Sequence, residues 1–261
     1  MKRSILFILA LAFTLGISGQ DKLYLVFEMM KVDNEQESAY MEVESFWEKI
    51  HEQRVKNGDI IGWDLWRLAP GGESQGFQYM TVNLYDDPVK MMSGAGDFQA
   101  ALKAAYPDMS EEDLNKKFNQ TPKTRDLAVR IFLEQIDATE DDFGMPLGTV
   151  ARINMMKVEE GNRGKYEKME SEVFKPMHQS DVDKGNRASW GLLRIMSPWG
   201  SDTYASHITV DMFKDMAHMF APGDDSGPEM TDDQMKQINE GIASRDMKYT
   251  YIATLIKTVK K

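Results

Sequence analysis

The residues that could do chemistry fall at alternate positions of β-like segments. His207 is the leading candidate among four histidines. It opens the run His207-Ile208-Thr209-Val210-Asp211, in which polar and apolar residues alternate. In a strand such alternation puts the polar set on one face. An imidazole there can take or give a proton near neutral pH. Asn154, between Ile153 and Met155, adds an amide donor and acceptor. His207 and Asn154 are therefore the catalytic candidates. Asp211 lies four residues beyond His207, roughly 13 Å along a strand, so the two form no direct dyad. A bridge from Arg152 or Asn154 on a neighbouring strand would be needed. Trp63 and Trp190 offer stacking faces, and Arg67, Arg152 and Arg194 offer guanidinium donors to a ligand. Glu28, Tyr79, Asn83 and Asp211 complete the candidate ligand-binding set. A hydrogen-bonded structural histidine is the alternative reading of His207.

Other chemistries find less support. There is no cysteine, which removes thiol catalysis, disulfides and thiolate-held metals. Met212, Met216 and Met219 are spaced for one helix face beside His218. Thioethers can hold Cu(I), but the same spacing serves a buried helix face. The acidic pairs Asp86-Asp87, Asp224-Asp225 and Asp232-Asp233 lack the ordered spacing of a calcium loop. No phosphate-binding glycine loop, nucleophile elbow or zinc-binding histidine pair occurs. His51 and His178 fall near the ends of two helical stretches and read as exposed helix-end residues. No metal is assigned, and the residues specify no cofactor.

The positioning elements follow from periodicity. Leu23 to Val32 is rich in strand formers. Residues 35–57 carry an apolar stripe at helical spacing (Tyr40, Val43, Trp47, Ile50), and Gly58 is a natural stop. Ile60 to Leu68 and Phe77 to Tyr85 read as strands around the turn Pro70-Gly71-Gly72. Residues 87–120 read as helix in two pieces, broken near Pro107, with Ser110 and Asp113 placed as a capping pair. Leu127 to Ile136 is a closing strand. The second half repeats the series, with Pro198-Trp199-Gly200 in its hairpin, Pro176 kinking its first helix and Thr231 capping its last.

The repetition is visible residue by residue. Met29-Met30-Lys31-Val32 recurs as Met155-Met156-Lys157-Val158. Tyr40, Glu44 and Ser45 recur as Tyr166, Glu170 and Ser171. Gly58, Trp63, Leu65 and Arg67 recur as Gly185, Trp190, Leu192 and Arg194. Thr81-Val82 recurs as Thr209-Val210, and Arg125-Asp126 as Arg245-Asp246. Several matches in one order point to duplication. The expected domains are residues 22–138 and 148–261, joined by a linker at 139–147. Tryptophan and arginine kept in both halves favour structural roles. Arg152, Asn154, His207 and Asp211 differ from Val26, Glu28, Tyr79 and Asn83, and are the better functional candidates.

Each half reads β-α-β-β-α-β, a ferredoxin-like unit. The expected fold is therefore α+β, with two ferredoxin-like repeats whose antiparallel sheets face each other as an intrachain α+β barrel. On this order, and on the stretches Tyr79 to Met91 and His207 to Met219, the chain resembles the dimeric α+β barrel superfamily in tandem form. Its groups include antibiotic-biosynthesis-monooxygenase-like and NIPSNAP-like proteins and haem-degrading monooxygenases. The resemblance implies a cofactor-independent or haem-linked monooxygenase, with Asn154, Trp190 and His207 orienting substrate and oxygen. No residue matches the later tryptophan of the haem-degrading group, since Asp211 and Met212 stand at the end of that strand. Single-unit members pair two chains; fused halves can close the barrel in one, so a monomer suffices.

Alternation also predicts which face is which. Leu25, Phe27 and Met29, Met80, Val82 and Leu84, and their counterparts in the second half are expected under the helices. The polar set is expected where the barrel closes, as a solvated face, a paired polar interface or a ligand cavity. The leading expectation is an exported small-molecule-binding protein with its ligand in a polar, aromatic barrel cavity. A non-catalytic structural or interaction module is the remaining alternative.

The bulk composition agrees. Net charge is −11, and Lys plus Arg total 31 against 42 Asp plus Glu. That balance disfavours nucleic-acid partners, which need a concentrated basic face. Residues 1–19 read as a signal peptide, with Lys2 and Arg3 before an apolar run and small residues at its end. The expected location is periplasmic or extracellular, with no integral membrane segment after cleavage.

Overall fold

A computed structural model describes residues 22–94, 96–223 and 230–261. The expected signal segment, 1–19, lies outside the described residues. The first half contributes β1 (Tyr24–Lys31), α1 (Glu37–Asn57), β2 (Gly62–Leu68) and β3 (Tyr79–Tyr85). It continues through α2 (Pro88–Ser93), α3 (Phe98–Ala105), α4 (Glu111–Phe118) and α5 (Thr121–Thr124) to β4 (Asp126–Ala138). The second half contributes β5 (Val150–Lys157), α6 (Arg163–Met169), α7 (Lys175–Asp183), β6 (Ser189–Ser197), β7 (His207–Phe213), α8 (Met216–Met219), α9 (Asp232–Ala243) and β8 (Asp246–Lys260).

Local chemistry sets the helix ends. Gly58 closes α1 at φ 77°, and its N–H donates to the Arg54 and Val55 carbonyls. That left-handed conformation is one a side chain resists. The side chains of Asp87, Asp97, Ser110 and Thr231 each accept from the first turn of the helix they precede. The expected break near Pro107 separates α3 from α4, but residues 87–120 form more pieces than two, each with its own cap. Between α6 and α7, residues Glu170–Phe174 form a π-helical turn, immediately before Pro176. This is the expected kink.

The strands form one closed antiparallel barrel in the order β1-β3-β2-β8-β5-β7-β6-β4. Within the halves the strands lie β4-β1-β3-β2 and β8-β5-β7-β6. The seams β2–β8 and β4–β6 are hydrogen-bonded ladders, so the sheets are continuous rather than merely facing.

The two strand faces are assigned the other way round from the sequence expectation. Leu25, Phe27, Met29, Met80, Val82, Ile131, Ala151, Ile153, Met155, Ile208 and Val210 form one core with Trp66, Leu193 and Leu255. All are strand residues, contributed by both halves, and they line the barrel interior. The polar set faces outward under the helices, where Trp63 and Tyr79 pack with Tyr40 and Val55 of α1. The polar, aromatic cavity is therefore not inside the barrel. The reason is dimensional: an eight-stranded barrel leaves an interior about wide enough for its inward side chains or one small ligand. Unpaired polar groups there would each cost about 1–3 kcal/mol. The outer face is also covered, so both faces contain buried residues and burial alone does not tell them apart.

Candidate functional site

The first cavity lies between α1 and the outer face of β1, β2, β3 and β4, with a volume of about 500 Å³. From the strands come Glu28 (β1), Trp63 (β2), Thr81 and Asn83 (β3) and Arg130 (β4). Glu44, Trp47, His51 and Arg54 descend from α1, and Arg125 enters just before β4. Glu44, Trp47, His51 and Arg54 follow helical spacing, so one face of α1 roofs the site.

Two kinds of chemistry meet there. The first is a buried charge cluster. Glu44 is 1 % exposed, and its Oε1 lies 3.1 Å from Arg125 Nη1. The two atoms are close but misaligned, and neither makes a hydrogen bond; nor do the Tyr40 hydroxyl and Asn83 Oδ1. Burial raises the Glu44 carboxyl to about 7, against the opposing pull of Arg125. The same burial drives the Tyr40 phenol far up. Glu28 is better served: it accepts from Arg130 Nε at 2.8 Å and from Thr81 Oγ1 at 3.1 Å.

The second is an aromatic stack. The His51 ring lies 4.9 Å from Trp63 at an interplanar angle of 15°, and 5.8 Å from Trp47 at 27°. Burial holds its pKa well below 6.5, with Arg54 and Arg125 adding to the effect. The imidazole is neutral at physiological pH. Arg54 Nη1 sits 3.4 Å from Nδ1. With the guanidinium donating to Nδ1, the ring proton resides on Nε2.

The second cavity occupies the equivalent place in the other half, with a volume of about 360 Å³. Glu170, His178, Trp190 and Arg245 line it where Glu44, His51, Trp63 and Arg125 line the first. The ring of His178 stacks on Trp190 at 4.7 Å. Burial lowers its pKa to about 4, with Arg187 as the next cause. The floor differs. Asp211, Arg152, Asn154 and Thr250 stand where Asn83, Val26, Glu28 and Arg130 stand in the first. Asp211 accepts from Arg152 Nε at 3.0 Å, from Asn154 Nδ2 at 3.0 Å and from Arg187 Nη1. Thr250 Oγ1 donates to Asn154 Oδ1 at 2.9 Å. The floor polar groups that stay open in the first cavity are thus tied to one another in the second.

The predicted site residues divide accordingly. Glu28, Trp63 and Asn83 line the first cavity; Arg152, Asn154, Trp190 and Asp211 line the second. His207, Tyr79, Arg67 and Arg194 line neither. His207 is fully buried, with Nε2 2.9 Å from Glu167 Oε1 and Nδ1 3.0 Å from Ser206 Oγ. Arg194 grips Glu167 from Nε at 2.7 Å and Nη2 at 2.6 Å. Burial pushes the Glu167 carboxyl up, but the bonds from His207 and Arg194 outweigh it and hold it at about 2. Tyr79, the counterpart of His207, donates to Glu37. Both residues fasten a strand to the helix above it. Arg67 is exposed.

Sequence reasoning missed Glu44, His51, Arg125 and their counterparts as site residues. His51 and His178 are not exposed helix ends: His51 is 6 % exposed and both rings lie against tryptophan. The signal was present, because Tyr40, Glu44 and Arg125 all recur in the second half.

Among the described residues, no group of three His, Asp or Glu side chains is placed to hold a metal ion, and no helix is long and apolar enough to cross a membrane.

No protein-family model matches the chain, and no curated protein matches it. Solved structures do. A proposed monooxygenase of Fusobacterium nucleatum aligns over 92% of this chain and 94% of its own, with a TM-score of 0.56 and 11% identity. An anthrone oxidase-like protein aligns over 92% and 94%, with a TM-score of 0.50 and 11% identity. A proposed chlorite dismutase aligns over 90% and 95%, with a TM-score of 0.50 and 9% identity. At such identities the likeness is one of fold: the chain is a mixed α+β protein built on a closed eight-stranded antiparallel barrel, an architecture it shares with these structures.

Proposed function

We propose that the first cavity binds a flat, polar aromatic molecule and that Glu44 removes a proton from it. The carrying observation is a carboxyl group 1 % exposed, raised to about 7, with an unbonded oxygen in a cavity walled by Trp63, Trp47 and His51. A base poised near the working pH is the efficient choice for proton transfer. Arg125, beside it, stabilises the anion that forms. The Trp63–His51 stack supports a planar ligand. A phenol or enolisable ketone deprotonated in this way becomes electron-rich enough to react with dioxygen without a cofactor. For an anthrone, CH₂ + O₂ gives C=O + H₂O, which needs no added reductant. The names borne by the Fusobacterium and anthrone oxidase-like structures agree with this chemistry. His207 takes no part in the site; through Glu167 it fastens β7 to α6.

The same reading takes residues 1–19 as a signal peptide and places the mature chain outside the cytoplasm. It takes 22–138 and 148–261 as duplicated ferredoxin-like units joined at 139–147. The barrel then closes within one chain and a monomer is sufficient.

The test is oxygen uptake with anthrone as the probe, alongside its binding by tryptophan quenching. Glu44→Gln should lower kcat/KM about 100-fold or more while anthrone still quenches. Binding without turnover in the wild type reduces the function to ligand carriage. Neither binding nor turnover removes this reading.

A further inference from the structure

The barrel interior holds a third space, distinct from the two cavities under the helices. It has a volume of about 320 Å³ and is walled by apolar side chains, among them Phe27, Trp66, Met80, Ile153 and Val210. An engineered apolar cavity of roughly half that size stays dry and takes up benzene. Eight-stranded barrels are also the smallest that can hold one small ligand.

Two residues shape this space, and they do not match between the halves. Gly191 on β6 faces inward between the outward-facing Trp190 and Leu192. A Cβ built on it would meet nothing nearer than Asp137 O at 3.9 Å. Its missing side chain leaves the room. Asp64 stands at the equivalent place on β2. It is 2 % exposed and lines the same space, so a carboxyl group looks into the chamber among its apolar walls, with Gln135, Thr139, Asp141 and Ser189 as the other polar side chains of the lining. Its Oδ1 accepts from Thr258 Oγ1 at 2.6 Å. Among the described residues no hydrogen bond reaches Oδ2. That oxygen is available to accept a hydrogen bond from a molecule in the chamber. Met145, in the segment between the halves, also lines the chamber and does so at φ 47°, a conformation rare outside glycine. Such conformations cluster at active sites and ligand clamps.

We propose that the barrel interior is a binding site for a small, largely apolar molecule carrying one hydroxyl group, which donates to Asp64. The hydrocarbon part occupies the room left by Gly191, and the linker segment around Met145 borders it. The site is independent of the chemistry assigned to Glu44.

Titration of the full mature chain with 1-naphthol and naphthalene, read by tryptophan fluorescence, tests this. The wild type should bind 1-naphthol at least tenfold more tightly than naphthalene. Gly191→Leu should weaken 1-naphthol at least tenfold with an unchanged circular dichroism spectrum. Asp64→Ala should erase the preference for the hydroxyl while naphthalene still binds, and it decides the matter should Gly191→Leu fail to fold. Saturating anthrone, the probe of the cavity under α1, should leave both affinities within twofold. No saturable binding to the wild type overturns the proposal. So does an unchanged preference in Asp64→Ala. Competition between anthrone and 1-naphthol also overturns it, by placing the probe under α1.

Discussion

Replacing Glu44 by glutamine separates the burial of its charge from the rest of the molecule. In the unfolded chain this carboxyl titrates near 4.5, and in the folded protein near 7. The folded state therefore holds the proton that the unfolded state releases. Stability contributed by the protonated group is complete below pH 4.5 and is lost as pH rises through 7. A shift of that size corresponds to about 3 kcal/mol. The group is almost wholly buried, so solvent screening does not erode it. Glutamine mimics the protonated form at every pH. Urea unfolding of both proteins from pH 4.5 to 8.5, followed by tryptophan fluorescence, should give nearly equal stabilities at the acid end. The variant should then gain on the wild type by about 3 kcal/mol at the alkaline end. All other groups titrate in both proteins and cancel in the difference. The opposing outcome is specific: if Arg125, 3.1 Å away, holds Glu44 ionised as an ordinary ion pair, the variant loses ground with rising pH, because its arginine is left unpaired. A flat or falling difference curve would refute both the burial argument and the assignment of Glu44 as a base.

Further outcomes follow from the same geometry. Asp211→Asn removes the carboxylate shared by Arg152 and Arg187 and should cost about 3–5 kcal/mol in urea unfolding. Asn83→Ala, at the equivalent place, should change stability far less but weaken anthrone binding. His207→Gln should cost about 1–3 kcal/mol, as expected when a buried partner of Glu167 is lost, and leave anthrone binding within twofold. His178, lowered to about 4, resists protonation in the folded state. Its share of stability is present above pH 6.5 and is lost as pH falls toward 4. His178→Phe should flatten that acid limb of the wild-type stability curve.

How much of this was legible without a structure differs from residue to residue. The capping roles of Ser110 and Thr231, the stop at Gly58 and the kink before Pro176 were readable, because each depends only on neighbours within one helical turn. The Tyr40–Glu44 and Tyr166–Glu170 correspondence was equally readable, although it registered as repetition and not as a site. Glu44 and Arg125 lie far apart along the chain, and only the packing of α1 against α5 brings them together. His207 looked like the reactive histidine because it shares a strand face with other polar residues. In the structure Glu167 and Ser206, from outside that pattern, occupy both of its nitrogens.

The sequence by itself determined the order of elements, the alternation that separates two faces on every strand, and the matching of the two halves. These are local or periodic properties, set by side-chain type and spacing along one chain direction. The tertiary structure alone decided which face turns inward. Alternation is symmetric with respect to that choice, and the symmetry breaks only when the seams β2–β8 and β4–β6 close the barrel and exclude polar groups from it. Closure turned the apolar face into the barrel core and left the helices to roof the polar one. It thereby made Glu44 and His51 part of a cavity that no single segment of the sequence contains.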